Sequence, residues 1–262
     1  MIDKMLSTIL APALAALLVA SVPVTAFAVD SDPLEPINRK IHTFNDKADT
    51  YVLRPLAKGY RTVTPQPVER SISRFFGNLM EVNSTFNSVL QAKFGKAAHH
   101  GGRFLINSTV GVLGFFEVAE PMGLERIDGE DFGQTLAVWG VGSGPYIVIP
   151  FLGPSTLRDG PSRYVDTFLD PVLTMDHVPT RNTVQGVSVI SGRASLLDAE
   201  ALISGDKYSF MRDAYLQRRA YLINDGVLSD DFEDDFGDDF YDEFDELEET
   251  GAGQHADHGH DD

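Results

Sequence analysis

The chain has 262 residues, 43% hydrophobic and 23% charged, a composition that supports a sizeable core and excludes wholesale disorder. It contains no cysteine, which excludes disulfides, thiolate metal centres and a cysteine nucleophile. The formal charge of −18 is concentrated in Ser229–Asp262, which holds 16 acidic residues and no Lys or Arg, so residues 1–228 carry only −2 and offer no basic footprint for nucleic acid.

Residues 5–22 are apolar and rich in Ala and Leu, follow Lys4, and lead to Ala26-Phe27-Ala28 before a polar stretch. Small residues at −3 and −1 behind a short apolar core predict a signal peptide over 1–28, cleaved after Ala28. A retained anchor is the competing reading, against which Pro12 and Pro23 weigh. No later segment offers the ~20 apolar residues that a spanning helix needs.

The body, 29–228, reads as one mainly α domain. Pro33 and Pro36 sit in a first helical turn, and Ile37, Ile41, Phe44, Ala48 and Tyr51 form one apolar stripe that Pro55 interrupts. After a Thr64–Pro67 turn, the spacing predicts a long helix with Val68, Ile72, Phe75, Leu79, Val82, Phe86, Val89 and Phe94 on one face. His99-His100 precede another helix through Ile106, and Val110–Phe116 is apolar all round. Residues 187–201 keep helical spacing, and Asp206 caps a last helix carrying Tyr208, Met211, Tyr215 and Leu222. Only residues 135–152 break this pattern. There Gly140, Gly142, Gly144 and Pro145 separate two apolar runs, the second opening at Tyr146, as either two strands around a turn or two helical halves around a hinge.

Catalytic constellations are weak. The three glycines lack the spacing of a dinucleotide loop, and Ser143 is not in a G-x-S-x-G elbow. Adjacent His99 and His100 diverge by about 100° on a helix and do not make a metal pair. Asp159, Asp166 and Asp170 beside Arg158 and Arg163 read as turn caps and ion pairs. No cofactor is expected, and an exported hydrolase acting on lipid or ester substrates stands as the alternative function, without a nameable nucleophile.

Ordered motifs carry a more specific signal. Asp32-Pro33-Leu34-Glu35-Pro36-x-Asn38-Arg39 with Phe44-Asn45 resembles the opening motif of the MlaA (VacJ) phospholipid-transport family. Phe76-Gly77-Asn78-Leu79, Arg103-Phe104-x-x-Asn107-Ser108-Thr109, Phe132-Gly133-Gln134-Thr135-Leu136 and Trp139–Tyr146 follow in the family's order. Arg158-Asp159, Arg193-x-x-Leu196-Leu197-Asp198 and Tyr208-x-x-x-Arg212-x-x-Tyr215-x-Gln217 complete a match over about 30–222.

The resemblance implies a helical ring set in one leaflet of a Gram-negative outer membrane, at its periplasmic face. It implies a protein that removes mislocalised phospholipid from the outer leaflet and passes it to the periplasmic carrier MlaC, beside a porin trimer, to maintain lipid asymmetry. Such a protein is a transporter and not an enzyme. Many members carry a lipidated cysteine after the signal peptide; this chain has none, so a lipid anchor is not expected. Gly140, Gly142, Gly144, Pro145 and Tyr146 are candidates for a glycine-rich hairpin that gates a lipid channel. Arg103 and Arg158 are candidate headgroup contacts, with pairing to Glu117 or Asp159 as the structural alternative. Asn38, Arg39, Phe44, Asn45, Asp159, Arg212 and Gln217 carry over as family-motif positions.

Residues 229–262, outside the resemblance, repeat Phe232, Phe236, Phe240 and Phe244 among carboxylates. They are expected to be a disordered tail, either solvated or docking on a basic partner such as the carrier. His255, His258 and His260 there offer loose metal-binding potential at most.

Overall fold

The computed structural model describes residues 32–202 and 205–227; the signal segment 1–28 and the acidic tail 229–262 lie outside the described residues. The elements run α1 (Glu35–Ala48), a π-helical turn (Asp49–Leu53), α2 (Arg54–Val63), α3 (Gln66–Leu90) and α4 (Phe94–Thr109). A 3-10 turn (Glu120–Met122), α5 (Phe132–Val138), strands β1 (Tyr146–Ile149) and β2 (Gly153–Thr156), and α6 (Asp159–Asp166) follow. Then come α7 (Val178–Ser195), a 3-10 turn (Ala199–Leu202) and α8 (Lys207–Ile223). The mainly α expectation is met.

Pro55 does not interrupt the first helix as expected. Its ring crowds the carbonyl four residues back, and the π turn widens the spiral where that conflict arises, with the Arg54 N–H reaching Asp49 five residues upstream. The chain stays helical from Glu35 to Val63. The predicted long helix also ends sooner. Ala92 takes a left-handed φ of 57° after Gln91, so Phe94 opens α4 and His99 and His100 lie inside it.

The two runs around the glycines are neither two strands nor two helical halves. The first is α5, the glycine segment is a helix-to-strand connection, and the hairpin lies one step later. There β1 pairs antiparallel with β2 in the register Tyr146↔Thr156 and Val148↔Pro154.

Chain contacts divide at Gln217/Arg218. In the described part of the second unit, Gly226 at φ +88° closes the helix end through an N–H bond to the Tyr221 carbonyl (2.9 Å), and Arg218 stacks on the Tyr221 ring. In the first unit, the apolar core is small: Tyr146, Val148 and Tyr208, with Ile41, Tyr215 and Leu216 against them.

The distribution of side chains is inverted. The largest fully buried ones are His100, Gln134, Asn38, Asn87, Thr135, Thr156, Ser88 and Ser155, all polar. On α3 the buried residues are Asn78, Glu81, Ser84, Asn87 and Ser88, while Val68, Met80, Phe86 and Val89 are exposed. On α4, Ala97, His100, Arg103 and Asn107 face inward and Leu105 outward. Burying polar groups is tolerable only when they are hydrogen-bonded, and α3 and α4 bond to each other in this way.

Candidate functional site

Three of the family-motif residues, Asn38, Phe44 and Asn45, converge on the β1–β2 hairpin. Asn38, on the buried face of α1, donates from Nδ2 to the Tyr146 carbonyl (3.0 Å), while its Oδ1 accepts the Val148 N–H (2.9 Å). Two turns on, Asn45 repeats the arrangement: Nδ2 donates to the Ile149 carbonyl (3.0 Å) and Oδ1 accepts from Phe151 N–H (2.8 Å). A carboxamide offers one donor and one acceptor in a plane, as a peptide group does, so both asparagines act as strand surrogates along the hairpin. The Phe44 ring meets Phe151 edge-to-face at 5.0 Å.

Asp32 and α8 complete the setting. Asp32 accepts from Asn38 Nδ2 (3.2 Å) and from the Tyr208 hydroxyl. Arg39 pairs with Glu35 and Asp206, each at 2.7 Å, and its guanidinium lies 4.4 Å over the Tyr208 ring. The Arg39 contact holds the Asp206 carboxyl well below the usual carboxylate range. Burial, reinforced by the Asp32 carboxylate, pushes the Tyr146 hydroxyl up to about 12 and the Tyr208 hydroxyl higher still.

The glycine segment is pinned at both ends. Gly140, at φ +88°, closes α5 with bonds from its N–H to Ala137 (2.9 Å) and from the Val141 N–H to Leu136 (2.9 Å), a Schellman ending. Gly144, at φ +66°, sits where a Cβ would come within 3.0 Å of the Leu157 side chain. Pro145 accepts from Leu157 N–H (3.1 Å) and Ser143 from Arg158 N–H (3.1 Å). Around Gly142 nothing lies within 4 Å of an added Cβ, and its φ is not left-handed.

Both arginine headgroup candidates are turned inward. Arg158 is buried, donating to Asp159 (2.8 Å) and to the Val141 carbonyl (3.2 Å), so it ties the glycine segment to α6. Asp159 in turn accepts from the Tyr215 hydroxyl (2.9 Å). Arg103, with its side chain 3% exposed, bonds Glu81 (2.9 Å), Glu117 (3.2 Å) and the Leu124 carbonyl. The desolvation of a guanidinium at these positions is met by carboxylates of the chain itself, the pairing given above as the structural alternative to headgroup contact. Arg212 pairs with Asp213 (2.8 Å), and Gln217 is exposed.

Glu81 and Gln91 escaped the sequence reading, and Asp166, expected there as a turn cap or in an ion pair, caps the start of α5. Glu81 gathers Arg103 and His100 Nδ1 (2.5 Å); burial alone would raise its carboxyl, and these two hydrogen bonds outweigh burial and hold it down. Asp166 accepts from the Phe132 N–H (3.0 Å) and from Asn87 Nδ2 (3.3 Å), and burial beside Asp131 pushes it up to about 6. Gln91 joins Glu130 (3.0 Å) and Thr135 (3.2 Å). The available signal was the spacing of Asn78, Glu81, Ser84, Ser88 and Gln91, a polar stripe of helical period opposite the phenylalanines. Among the described residues no cluster of three or more His, Asp or Glu could hold a metal, and no helix is long and apolar enough to cross a membrane.

Fold and site together define a helical protein with a hydrogen-bonded polar interior and apolar side chains turned outward. The chain belongs to the MlaA lipoprotein family, which it matches over residues 30–222. It is 39% identical over 203 residues to the intermembrane phospholipid transport system lipoprotein MlaA of Escherichia coli (strain K12), covering 76% of this chain and 80% of that protein. The protein of the same name from Haemophilus influenzae is 34% identical over 203 residues, 76% of this chain and 81% of its own length. A solved structure described as the structural basis for maintenance of bacterial outer membrane lipid asymmetry superposes with a TM-score of 0.65. It shares 37% identity and covers 74% of this chain and 99% of its own.

Proposed function

We propose that the chain carries out intermembrane phospholipid transport. It withdraws phospholipid misplaced in the outer leaflet of a Gram-negative outer membrane and passes it to a periplasmic carrier of the MlaC type, beside a porin trimer. Family membership supports the reaction class, and the inverted side-chain distribution is the observation that carries it. Phe86, Phe94, Leu105, Phe116 and Phe151 are exposed while Glu81, Arg103 and Asn87 are buried, an arrangement suited to hydrocarbon outside and a polar path within. The physical need is large. A two-chain lipid has ~30 methylenes, each costing about 0.8 kcal/mol to expose to water, so it must travel sheltered. The outward apolar side chains provide retention in the leaflet.

Cell fractionation with lipid extraction tests the reading. The full-length protein is expected in the outer-membrane fraction, resistant to high salt, released by detergent with bound phospholipid, and able to pass that lipid to the carrier. Recovery as a lipid-free soluble protein with esterase turnover overturns it in favour of a hydrolase.

A further inference from the structure

The segment after α4 is knotted. Leu113 N–H bonds Ser108 (3.0 Å), Gly114 N–H bonds Asn107 (2.7 Å) and Phe116 N–H bonds Gly111 (2.9 Å). Val112 and Leu113 are both left-handed, at φ 51° and 58°, and Val112 is β-branched, a residue type for which that conformation is strained. Two close approaches enforce the knot. A Cβ on Gly111 would lie 2.3 Å from the Phe116 carbonyl oxygen, and one on Gly114 would lie 2.5 Å from the Asn78 side chain. Its product is an outward display of Val112 and Phe116, 56% and 61% exposed. Strain of this kind persists where surroundings over-determine it, and it clusters at ligand clamps.

Between this knot and the first two turns of α3 lies an open groove of about 390 Å³, lined by Val68, Ser71, Ile72, Val112, Phe115 and Phe116. The volume is within the ~300–1,000 Å³ of small-molecule sites. Ser71 is the one polar side chain among these six, and Phe115 is held by stacking on Phe75 at 5.0 Å. Arg74 follows Ser71 by one turn on the same side of α3, is exposed, and has no ion-pair partner among the described residues. An apolar trough with an exposed arginine one helical turn beyond its Ser71 wall matches a ligand with a hydrocarbon chain and a phosphate.

We propose that this groove seats one acyl chain of a phospholipid, with Arg74 on its phosphate. The proposal rests on the lipid-transport reading and adds a seat on the outer surface of α3, separate from the glycine segment and the Glu81 network. The test uses the detergent-solubilised full chain with one equivalent of phosphatidylglycerol bearing a diazirine on one acyl chain, photolysed and mapped by peptide mass spectrometry. Label is expected on residues 66–75 and 110–117. Ile72→Trp and Ser71→Phe, either of which fills the groove, lower it at least five-fold. Arg74→Gln lowers it two- to three-fold, and the control Asn182→Trp, at an exposed polar position of α7, leaves it unchanged. Label spread evenly over exposed apolar residues, or unchanged in whichever of Ile72→Trp and Ser71→Phe keeps its circular dichroism, overturns the proposal. Phospholipid extracted from the wild-type protein without groove labelling defeats the groove alone; no phospholipid on extraction defeats the transport reading itself.

Discussion

Asn38 and Tyr146, 108 residues apart, are joined by a 3.0 Å hydrogen bond from the Asn38 carboxamide to the Tyr146 carbonyl, and the same carboxamide accepts from Val148 two residues on. One side chain thus supplies what a neighbouring strand would supply to the edge of β1. Asn38→Leu leaves a buried carbonyl and N–H unsatisfied, each costing ~1–3 kcal/mol. Asn45→Ala, at a less buried position, should cost less. Thermal unfolding in detergent checks the order. Destabilisation by Asn45→Ala equal to or greater than that by Asn38→Leu would contradict the surrogate-strand role.

Arg103 is expected to matter for folding before lipid. Removing it strands Glu81 and Glu117 in a site where both depend on its N–H groups, and breaking a buried pair this way costs about 3–5 kcal/mol. Arg103→Ala should therefore lower abundance and unfold early. Combining it with Glu81→Gln should recover part of the loss, because the stranded charge is gone. Additive losses in the double-mutant cycle count against a coupled pair.

The legible part of this protein is its mainly helical character and its last helix, opened at Asp206; the polarity of its packing is the harder part. Periodicity finds the stripe Val68–Ile72–Phe75–Leu79 on α3 but does not say whether lipid, solvent or core covers it. The Asn78–Glu81–Ser84–Ser88 stripe opposite it is the inward face, and that became visible only with Arg103 and Asn107 packed against it. Asn38 and Asn45 were legible as motif positions, but their partners lie more than 100 residues away on backbone atoms, which no side-chain pattern reports. The glycines by themselves suggest a turn or a hinge between like elements. Gly140 ends a helix instead, because α5 supplies the carbonyls of Leu136 and Ala137 that its left-handed φ completes.

Asp166 gives the protein a local pH dependence of unusual sign. Its folded pKa of about 6 lies above the 3.8 of a free aspartate, chiefly because burial disfavours the charge. The folded state therefore binds the proton more tightly than the unfolded chain. The group's stabilising contribution is complete below about 3.8 and is lost as pH rises through 6. Asp166→Asn keeps an acceptor for the Phe132 N–H without the charge. It should be more stable than wild type at pH 7.5 by up to about 3 kcal/mol, or ~2–4 °C for each kcal/mol, and lose that advantage toward pH 4. Other carboxylates, such as Asp49 beside Arg193, are held below their usual range and lose stability on acidification, so the difference between the two proteins isolates Asp166. A difference that stays flat between pH 4 and 7.5 removes Asp166 from this role.

The three glycines between α5 and β1 are expected to behave differently from one another. Gly140 and Gly144 occupy left-handed φ values where an L-residue costs roughly 1–2 kcal/mol, and at Gly144 a Cβ also meets Leu157 at 3.0 Å. Gly144→Ala should destabilise the protein, and lost activity there reports structure only. Gly142 carries no such constraint, and it lies between Val141 and Ser143, whose carbonyls are both bonded by Arg158. If the segment moves to admit lipid, the freedom resides at this residue, flanked by two fixed points. Gly142→Leu should then fold with normal helicity and abundance while shifting outer-leaflet phospholipid, in either direction, together with detergent sensitivity. Cells carrying Gly142→Leu at wild-type abundance, with outer-leaflet phospholipid indistinguishable from wild type, would show that the segment is a passive connection and that the path for lipid lies elsewhere in the polar interior.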